Sequence, residues 1–184
     1  MHRIILPVVA CALVLAAAPA RADHFSAKFS GFEEIGGLGA GETGAILSDG
    51  KGSLVLDLDR RNQVLTFTLE YSGLSAPVTQ AHIHFGKRHV AGGIMVFFCS
   101  NLTSAPAGTQ ACPASGGTVT GTITPANVIG PTAQNVTAGN FDAVTDALDS
   151  DTAYGNIHTT NFPAGEIRGQ IRRSHRDDDH DRHD

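Results

Sequence analysis

The stretch that decides the fold is residues 52–71, GSLVLDLDRRNQVLTFTLEY. Apolar and polar side chains alternate on both sides of a short polar centre at residues 59–62. A period of two places alternate side chains on one face of a β-strand, so each half is predicted to be a half-buried strand. Two such strands joined by a short polar turn predict a β-hairpin with one apolar face.

The same alternation continues in both directions along the chain. It predicts further strands at residues 24–31, 45–49, 80–85, 94–99, 117–124, 153–159 and 165–172. Residues 140–148 instead space their apolar side chains as a short helix does. About eight short strands with at most one short helix predict an all-β domain, either a Greek-key β-sandwich or a flattened barrel.

Composition agrees with short strands and disfavours several functions. The 184 residues include 21 Gly, no Trp and 6% aromatic residues, which suits strands joined by glycine turns rather than packed helices. The formal net charge is −5, whereas a nucleic-acid-binding protein is normally basic. The sequence also lacks the Gly-x-Ser-x-Gly elbow of hydrolases and the glycine-rich phosphate loop of nucleotide-binding proteins.

The first residues have the pattern of a secretory signal. Residues 1–3 (MHR) supply a positive start, residues 4–18 are almost entirely apolar, and residues 20–22 (ARA) have the small-x-small pattern of a cleavage site. The apolar stretch is shorter than the about 20 residues that a membrane span needs. We therefore expect cleavage after Ala22 and an exported protein, either periplasmic or secreted. Lipoprotein processing at Cys11 is disfavoured, because too short an apolar segment precedes that cysteine.

The chain is expected to have three parts. They are a signal peptide at residues 1–22, a single β domain at residues 23–172, and a tail at residues 173–184. The tail holds three Arg, five Asp and three His, so it has nothing to bury and is predicted to be disordered. Weak binding of divalent metal by its histidines is the alternative to a solvated charged tail, which we favour. No segment after the signal is apolar enough to cross a bilayer, so we expect no membrane span in the mature protein.

Two cysteines remain once the signal is removed, Cys99 and Cys112. In an oxidising compartment two cysteines usually pair, so a disulfide is predicted. Residues 100–111 between them are rich in Ser, Ala, Pro and Gly and are expected to have little structure of their own. A thiol metal site or redox pair is the alternative, but it would favour the closer C-x-x-C spacing.

Histidines provide the candidate metal ligands. His82 and His84 are two residues apart on a predicted strand, so both imidazoles point to one side of the sheet. His158, on another predicted strand, would complete a three-histidine set suited to copper or zinc. The alternative is that the three imidazoles are hydrogen-bonded structural groups without a metal. His89 follows in a basic loop and is expected to be exposed to solvent rather than to be a fourth ligand.

Glu166 and Arg168 also share a face by the period-two rule. We expect them to form a structural ion pair. The alternative is a supporting role beside the histidines, with Glu166 accepting a hydrogen bond from an imidazole N–H.

Several of these motifs together resemble the CHRD family, whose modules were first recognised in chordin and are common in exported bacterial proteins. The matching segments are residues 81–84 (AHIH), 121–124 (GTIT), 154–159 (YGNIHT) and 163–170 (PAGEIRGQ). The resemblance covers roughly residues 25–172. It departs from the family at residues 85–88 (FGKR), where Gly-Pro often follows the histidine pair, so a different loop shape is expected there.

The resemblance implies a β fold and an exported location more readily than an activity. Its histidine arrangement is similar to that of copper–zinc superoxide dismutases, which also place an H-x-H pair and a later histidine on a Greek-key barrel. This implies copper as the cofactor, with zinc less favoured. Because His89 is the only histidine between His84 and His158, a binuclear site is not expected.

Three functions follow from these observations. The favoured one is a mononuclear copper-binding module that uses His82, His84 and His158. The second is a non-catalytic adhesion or interaction module, in which the histidines are structural and the partner is another extracytoplasmic protein. The third, less favoured because we lean against an enzyme, is superoxide dismutation. It requires an open coordination position and a cationic route for the anion.

Overall fold

The computed structural model describes residues 22–35 and 44–174. These residues form nine strands and one α-helix. The strands are β1 Asp23–Ser30, β2 Lys51–Asp59, β3 Val64–Ser72, β4 Val78–Phe85, β5 Gly93–Ser100, β6 Gly117–Ile123, β7 Ala153–Thr159, β8 Ile167–Gln170 and β9 Arg172–Arg173. The helix α1 is Phe141–Asp149, and single 3₁₀ turns lie at Gly31–Glu33, Pro125–Asn127 and Thr132–Gln134.

The strands form one antiparallel sheet that nearly closes into a barrel. Its order is β5-β4-β7-β8-β1-β2-β3-β6, and β9 pairs with β1. The Gln110 side-chain amide donates to the backbone oxygen of Phe98 in β5 and to that of Thr120 in β6, both at 3.1 Å. Because this one amide links the two edge strands, β5 and β6 meet at a seam. The predicted all-β class and the barrel form are confirmed.

The β2–β3 hairpin has the predicted apolar face. Its strands pair directly on either side of the polar turn, and the inward-facing Leu, Phe and Tyr residues are buried. The apolar pairs are Leu54 with Leu69, Leu56 with Phe67, and Leu58 with Leu65. The period-two pattern therefore fixes both the pairing register and the face that packs into the core.

Helix α1 matches the predicted helical segment. The Asn140 side chain accepts a hydrogen bond from the Ala143 N–H at 3.1 Å, which satisfies one of the free N–H groups at the start of the helix. Phe141, Val144 and Leu148 are buried in the core of the barrel. The helix thus packs against the core through the apolar side chains that predict it.

The Cys99–Cys112 disulfide is present, with an S–S distance of 2.07 Å. After Ser100, the last residue of β5, its loop has no regular secondary structure, as expected, but it lies at the β5–β6 seam. The Ser100 N–H donates to the Gln110 backbone oxygen at 2.9 Å, so the loop places the Gln110 side chain between the two strands. The disulfide loop is therefore part of the closure of the barrel.

The strand predicted at residues 45–49 is absent. The Ser48 hydroxyl accepts a hydrogen bond from the Gly50 N–H at 2.9 Å and donates to Glu166 at 2.6 Å. A local bond from a side chain to the backbone competes with strand pairing, which explains the irregular course of this segment.

The strand predicted at residues 165–172 is divided in two. Ile171 separates β8 from β9. Its N–H still donates to the backbone oxygen of Ala153 in β7 at 2.9 Å, whereas the two residues of β9 pair with β1. Arg173, expected in the tail, pairs with Phe25. The sheet therefore extends past the predicted boundary.

Two expectations from the sequence fall on residues that the structure does not describe. The signal peptide lies outside the described residues except for Ala22, and so does the tail from residue 175 onward. Among the residues that are described, no helix has both the length and the apolar character needed to span a membrane.

Candidate metal centre

The candidate site lies on the outer face of neighbouring strands β4 and β7. On β4, Ala81 and Ile83 belong to the barrel core. Because strand side chains alternate, His82 and His84 point to the opposite face. Asn156 of β7 pairs with His82 across the two strands, in the middle of this polar face.

The register between β4 and β7 brings His158 close to His82 and His84. Gln80 is paired with His158, so His158 is one diagonal step from His82, which is within reach of a long side chain. The ring centroid of His82 lies 5.3 Å from that of His84 and 5.0 Å from that of His158. One nitrogen from each ring falls within 4.8 Å of the others, and the described residues contribute no further His, Cys, Asp or Glu to this group. The predicted convergence of the three imidazoles is confirmed.

Hydrogen bonds orient two of the three rings. His84 Nδ1 donates to the backbone oxygen of Gly92, and His158 Nδ1 donates to that of Pro163, both at 2.9 Å. A carbonyl oxygen can only accept, so the proton sits on Nδ1 and the lone pair sits on Nε2. These two Nε2 atoms have no hydrogen-bond partner among the described residues, and neither ring nitrogen of His82 has one. Buried polar atoms are normally paired, so unpaired nitrogens that converge fit a metal ion.

The three imidazoles are in the protonation state that a metal needs. Burial lowers the pKa of His82 to about 2, with smaller contributions from His158 and His84. Burial also lowers the pKa of His84 to about 4, a shift that its hydrogen bond to Gly92 opposes and that the charge of Arg168 increases. Burial lowers the pKa of His158 as well. All three rings are therefore neutral at neutral pH, with lone pairs available.

A stack of side chains holds His84. The Tyr154 ring is nearly parallel to the His84 ring, with an interplanar angle of 5° and a centroid separation of 4.8 Å. The Arg168 guanidinium carbon lies 3.4 Å from the Tyr154 ring centroid. The Gly92 N–H donates to the Tyr154 hydroxyl at 3.0 Å, so Tyr154 contacts both the imidazole and the residue that accepts from it.

Arg168 and Gln170 fasten the loop that joins β4 to β5. Arg168 is only 2% exposed, and its Nη2 donates to the backbone oxygens of Lys87 and Val90, both at 3.1 Å. The Gln170 amide donates to the backbone oxygen of Gly86 at 3.1 Å. Arg168 Nη1 has no partner among the described residues. Arg168 therefore supports the site through Tyr154 and through this loop.

Glu166 has neither of its expected roles. Its carboxylate accepts hydrogen bonds from the Ser48 hydroxyl at 2.6 Å, from the Ser75 N–H and hydroxyl at 2.8 Å each, and from the Thr159 hydroxyl at 2.7 Å. These donors satisfy the carboxylate, and in the described part of the chain it bonds neither Arg168 nor an imidazole. Burial alone would raise the pKa of Glu166, but the hydrogen bonds outweigh it and lower the pKa below its usual value. Glu166 thus joins separate loops to β7.

The basic loop residues stay outside the cluster. Lys87, Arg88 and His89 are exposed, which confirms the expectation for His89. Arg88 forms an ion pair with Glu33 at 2.6 Å. These cations lie at the protein surface, and among them only the Lys87 backbone contacts the supporting network.

Two supporting residues escaped the sequence analysis. Tyr154 lies four positions before His158 on β7. An even spacing puts two side chains of a strand on the same face, so the period-two rule could have predicted this placement. The role of Gly92 has no sequence signal, because its carbonyl is positioned by an irregular loop. A Cβ atom at Gly92 would lie 1.8 Å from the Phe85 backbone oxygen, so only glycine fits there without a shift of the backbone.

Fold and site together define a small all-β barrel protein with a buried three-histidine cluster on its outer face. The CHRD domain family model matches residues 25–171, so the chain belongs to the CHRD domain family. This match confirms the resemblance seen in the sequence. No curated protein matches the chain, and no solved structure matches it.

Proposed function

We propose that this protein is an exported metal-binding module that holds one copper ion at His82, His84 and His158. The observation that carries the proposal is the set of converging imidazole nitrogens, which are buried and have no hydrogen-bond partner in the described residues. Such atoms are costly to bury, and a metal ion would satisfy all three at once.

The donor set favours copper. Imidazole nitrogens bind both copper and zinc, and copper(II) is bound more tightly than zinc in the usual order of divalent metal affinities. Structural zinc sites almost always have four protein ligands, whereas the described residues offer three. Three metal–nitrogen bonds of about 2.0–2.1 Å to one ion place the nitrogens about 3.5 Å apart. The ring nitrogens lie within 4.8 Å of one another, so binding requires the three rings to move closer together, by about 1 Å for the widest pair.

An exported location is the second part of the proposal. Disulfides persist in oxidising compartments, and the Cys99–Cys112 bond fits a protein that folds outside the cytoplasm. The leader-like pattern of residues 1–22 supports the same location, periplasmic or secreted. There the module would store, carry or buffer copper.

The test is a copper measurement on the mature chain, residues 23–184. After loading and desalting, mass spectrometry should find about one copper per chain in the wild type. The double variant His82→Ala/His84→Ala should lose it, since a single remaining imidazole cannot hold the ion. His89→Ala, which removes an exposed histidine outside the cluster, is the matched control and should keep the copper. Stoichiometric copper in the double variant would exclude this site.

A second prediction concerns the orientation of His84. We expect Gly92→Ala to weaken copper binding by about 10–100-fold, because the new Cβ displaces the carbonyl that fixes the His84 ring. Competition with a copper chelator measures the change. Ala91→Ser, an exposed neighbour on the same loop, should bind as the wild type does. Equal affinities for the two variants would show that the carbonyl has no role in orienting the ligand.

The interaction-module alternative makes a different prediction. If the histidines were structural, copper would not change the melting temperature, whereas an ion that binds only the folded state raises it. Structural imidazoles would also be expected to have hydrogen-bond partners on both nitrogens, unlike His82. A dismutase assay on the copper-loaded chain tests the enzymatic alternative.

A further inference from the structure

A positive charge lies two stacked rings away from the candidate ion site. The Arg168 guanidinium carbon is 3.4 Å from the Tyr154 ring centroid, and that ring stacks on His84 at 4.8 Å. Arginine stays protonated at any pH at which proteins fold. The charge of Arg168 is therefore a permanent part of the surroundings of His84.

No direct ion pair among the described residues neutralises this charge. The hydrogen bonds of Arg168 go to the neutral backbone oxygens of Lys87 and Val90, and no ion pair within 4.0 Å joins it to a carboxylate in the described part of the chain. Two acids lie near Arg168 without bonding it: Glu33 is paired with Arg88, and buried Glu34 accepts a hydrogen bond from the Asn156 side chain. Burial raises the pKa of Glu34, which weakens its hold on a negative charge. Because Arg168 is 2% exposed, water screens its field weakly.

The ligands supply no negative charge either. His82, His84 and His158 are neutral imidazoles, and the described residues add no carboxylate or thiolate to the group. A buried ion of charge +2 loses more solvation than one of charge +1, and a neighbouring cation repels it more strongly. Copper(II) also prefers a tetragonal set of nitrogen and oxygen ligands, which three converging imidazoles do not provide.

From this geometry we propose that Arg168 biases the site toward copper(I), so that the module holds the cuprous ion in preference to the cupric ion. The inference rests on the proposed copper-binding function and adds the oxidation state of the ion and the residue that sets it. Reduction of bound copper(II) adds one electron, taken from an external one-electron reductant such as ascorbate, and breaks no bond in the protein. Arg168 acts as a positioning and tuning residue, since it does not contact the ion.

The experiment compares the reduction potential of the copper-loaded mature chain with that of three variants by a redox titration. Arg168→Met removes the charge and keeps most of the side-chain length, and Arg168→Lys keeps the charge. Arg61→Met removes an exposed cation in the turn between β2 and β3, away from the site. The aqueous copper couple is measured under the same conditions, and melting temperatures verify that each variant is folded.

We expect the wild-type potential to lie above that of the aqueous couple. Arg168→Met should reduce the preference for copper(I) over copper(II) about tenfold, which lowers the potential by about 59 mV for one electron. Arg168→Lys should retain most of the wild-type potential, and Arg61→Met should leave it unchanged because the charge it removes is screened by water.

The other possible results of the redox titration separate the copper(I) preference from copper binding itself. An unchanged or higher potential in folded Arg168→Met would overturn the inference while leaving copper binding intact. If Arg168→Met does not fold, the wild-type potential is the test. A wild-type potential at or below that of the aqueous copper couple contradicts the preference for copper(I). Failure of the wild type to bind copper in either oxidation state would instead refute the proposed function itself.

Discussion

Glu166→Ala should lower the free energy of unfolding by about 3–5 kcal/mol. The carboxylate accepts four hydrogen bonds, and hydrogen bonds to charged groups contribute about 1.5–3 kcal/mol each without being additive. The substitution removes a fully buried acceptor and leaves the buried Thr159 hydroxyl without its partner, and it also breaks the bonds that tie half-buried Ser48 and exposed Ser75 to β7 and β8. Denaturant unfolding of the mature chain at neutral pH measures the loss.

The pH dependence of the free energy of unfolding tests the same role of Glu166 in a second way. The pKa of Glu166 is lower in the folded protein than its usual value of 4.5. Its stabilising contribution is therefore complete above that value and is lost as the pH falls through the lowered folded pKa. The wild type should lose stability over this acid range more steeply than Glu166→Ala does.

Two variants make the result specific to Glu166. Glu70→Ala removes an exposed carboxylate on β3 and should change the stability by no more than about 0.5 kcal/mol. Glu166→Gln keeps one acceptor oxygen and should recover part of the loss. If Glu166→Ala were as stable as Glu70→Ala, the loops would not depend on this carboxylate.

Local periodicity was sufficient to predict the face of each histidine. The alternation around His82 and His84 places both on the side opposite Ile83, and the same rule places His158 on the exterior face of its own strand. That β4 and β7 are neighbours does not follow from the pattern and is seen only in the pairing of the folded sheet. The face of each imidazole was therefore predictable from the period of its own strand, whereas their convergence also depends on the register between β4 and β7.

The partners of Glu166 were not predictable in the same way. Ser48 and Ser75 lie in irregular segments more than 90 positions before it in the chain, and no period relates them to β8. The carbonyls of Gly92 and Pro163 likewise reach the imidazoles through loop geometry. Side-chain identity does not encode where a loop places a backbone oxygen, so the supporting network appears only once the loops are folded.

The motif at the end of the domain has a different role in the structure from the one its charges predict. In residues 163–170 (PAGEIRGQ), Glu166 and Arg168 were expected to form an ion pair. In the structure each one fastens a different segment, and only Arg168 also touches a side chain that contacts a candidate ligand. The motif is therefore chiefly a set of loop anchors beside the three-histidine cluster.

The last prediction concerns the seam between β5 and β6. Cys99→Ala/Cys112→Ala should lower the free energy of unfolding by about 3 kcal/mol, because the unfolded chain gains the conformations that the closed loop excludes. Unfolding curves with and without a thiol reductant measure this. The wild type should lose a similar amount in reductant, and the variant should lose no more.

The seam allows a test of how the disulfide acts. Gln110→Ala breaks the side-chain link between Phe98 and Thr120 with the disulfide intact, and should cost about 1–3 kcal/mol. If the disulfide acts only on the unfolded chain, the losses of the cysteine variant and of Gln110→Ala add in the combined variant. If it also positions Gln110, the combined loss is smaller than the sum, because the link is already weakened without the bond. We expect the smaller combined loss, since the Ser100 N–H bonds the Gln110 backbone within the closed loop, and strict additivity would contradict this coupling.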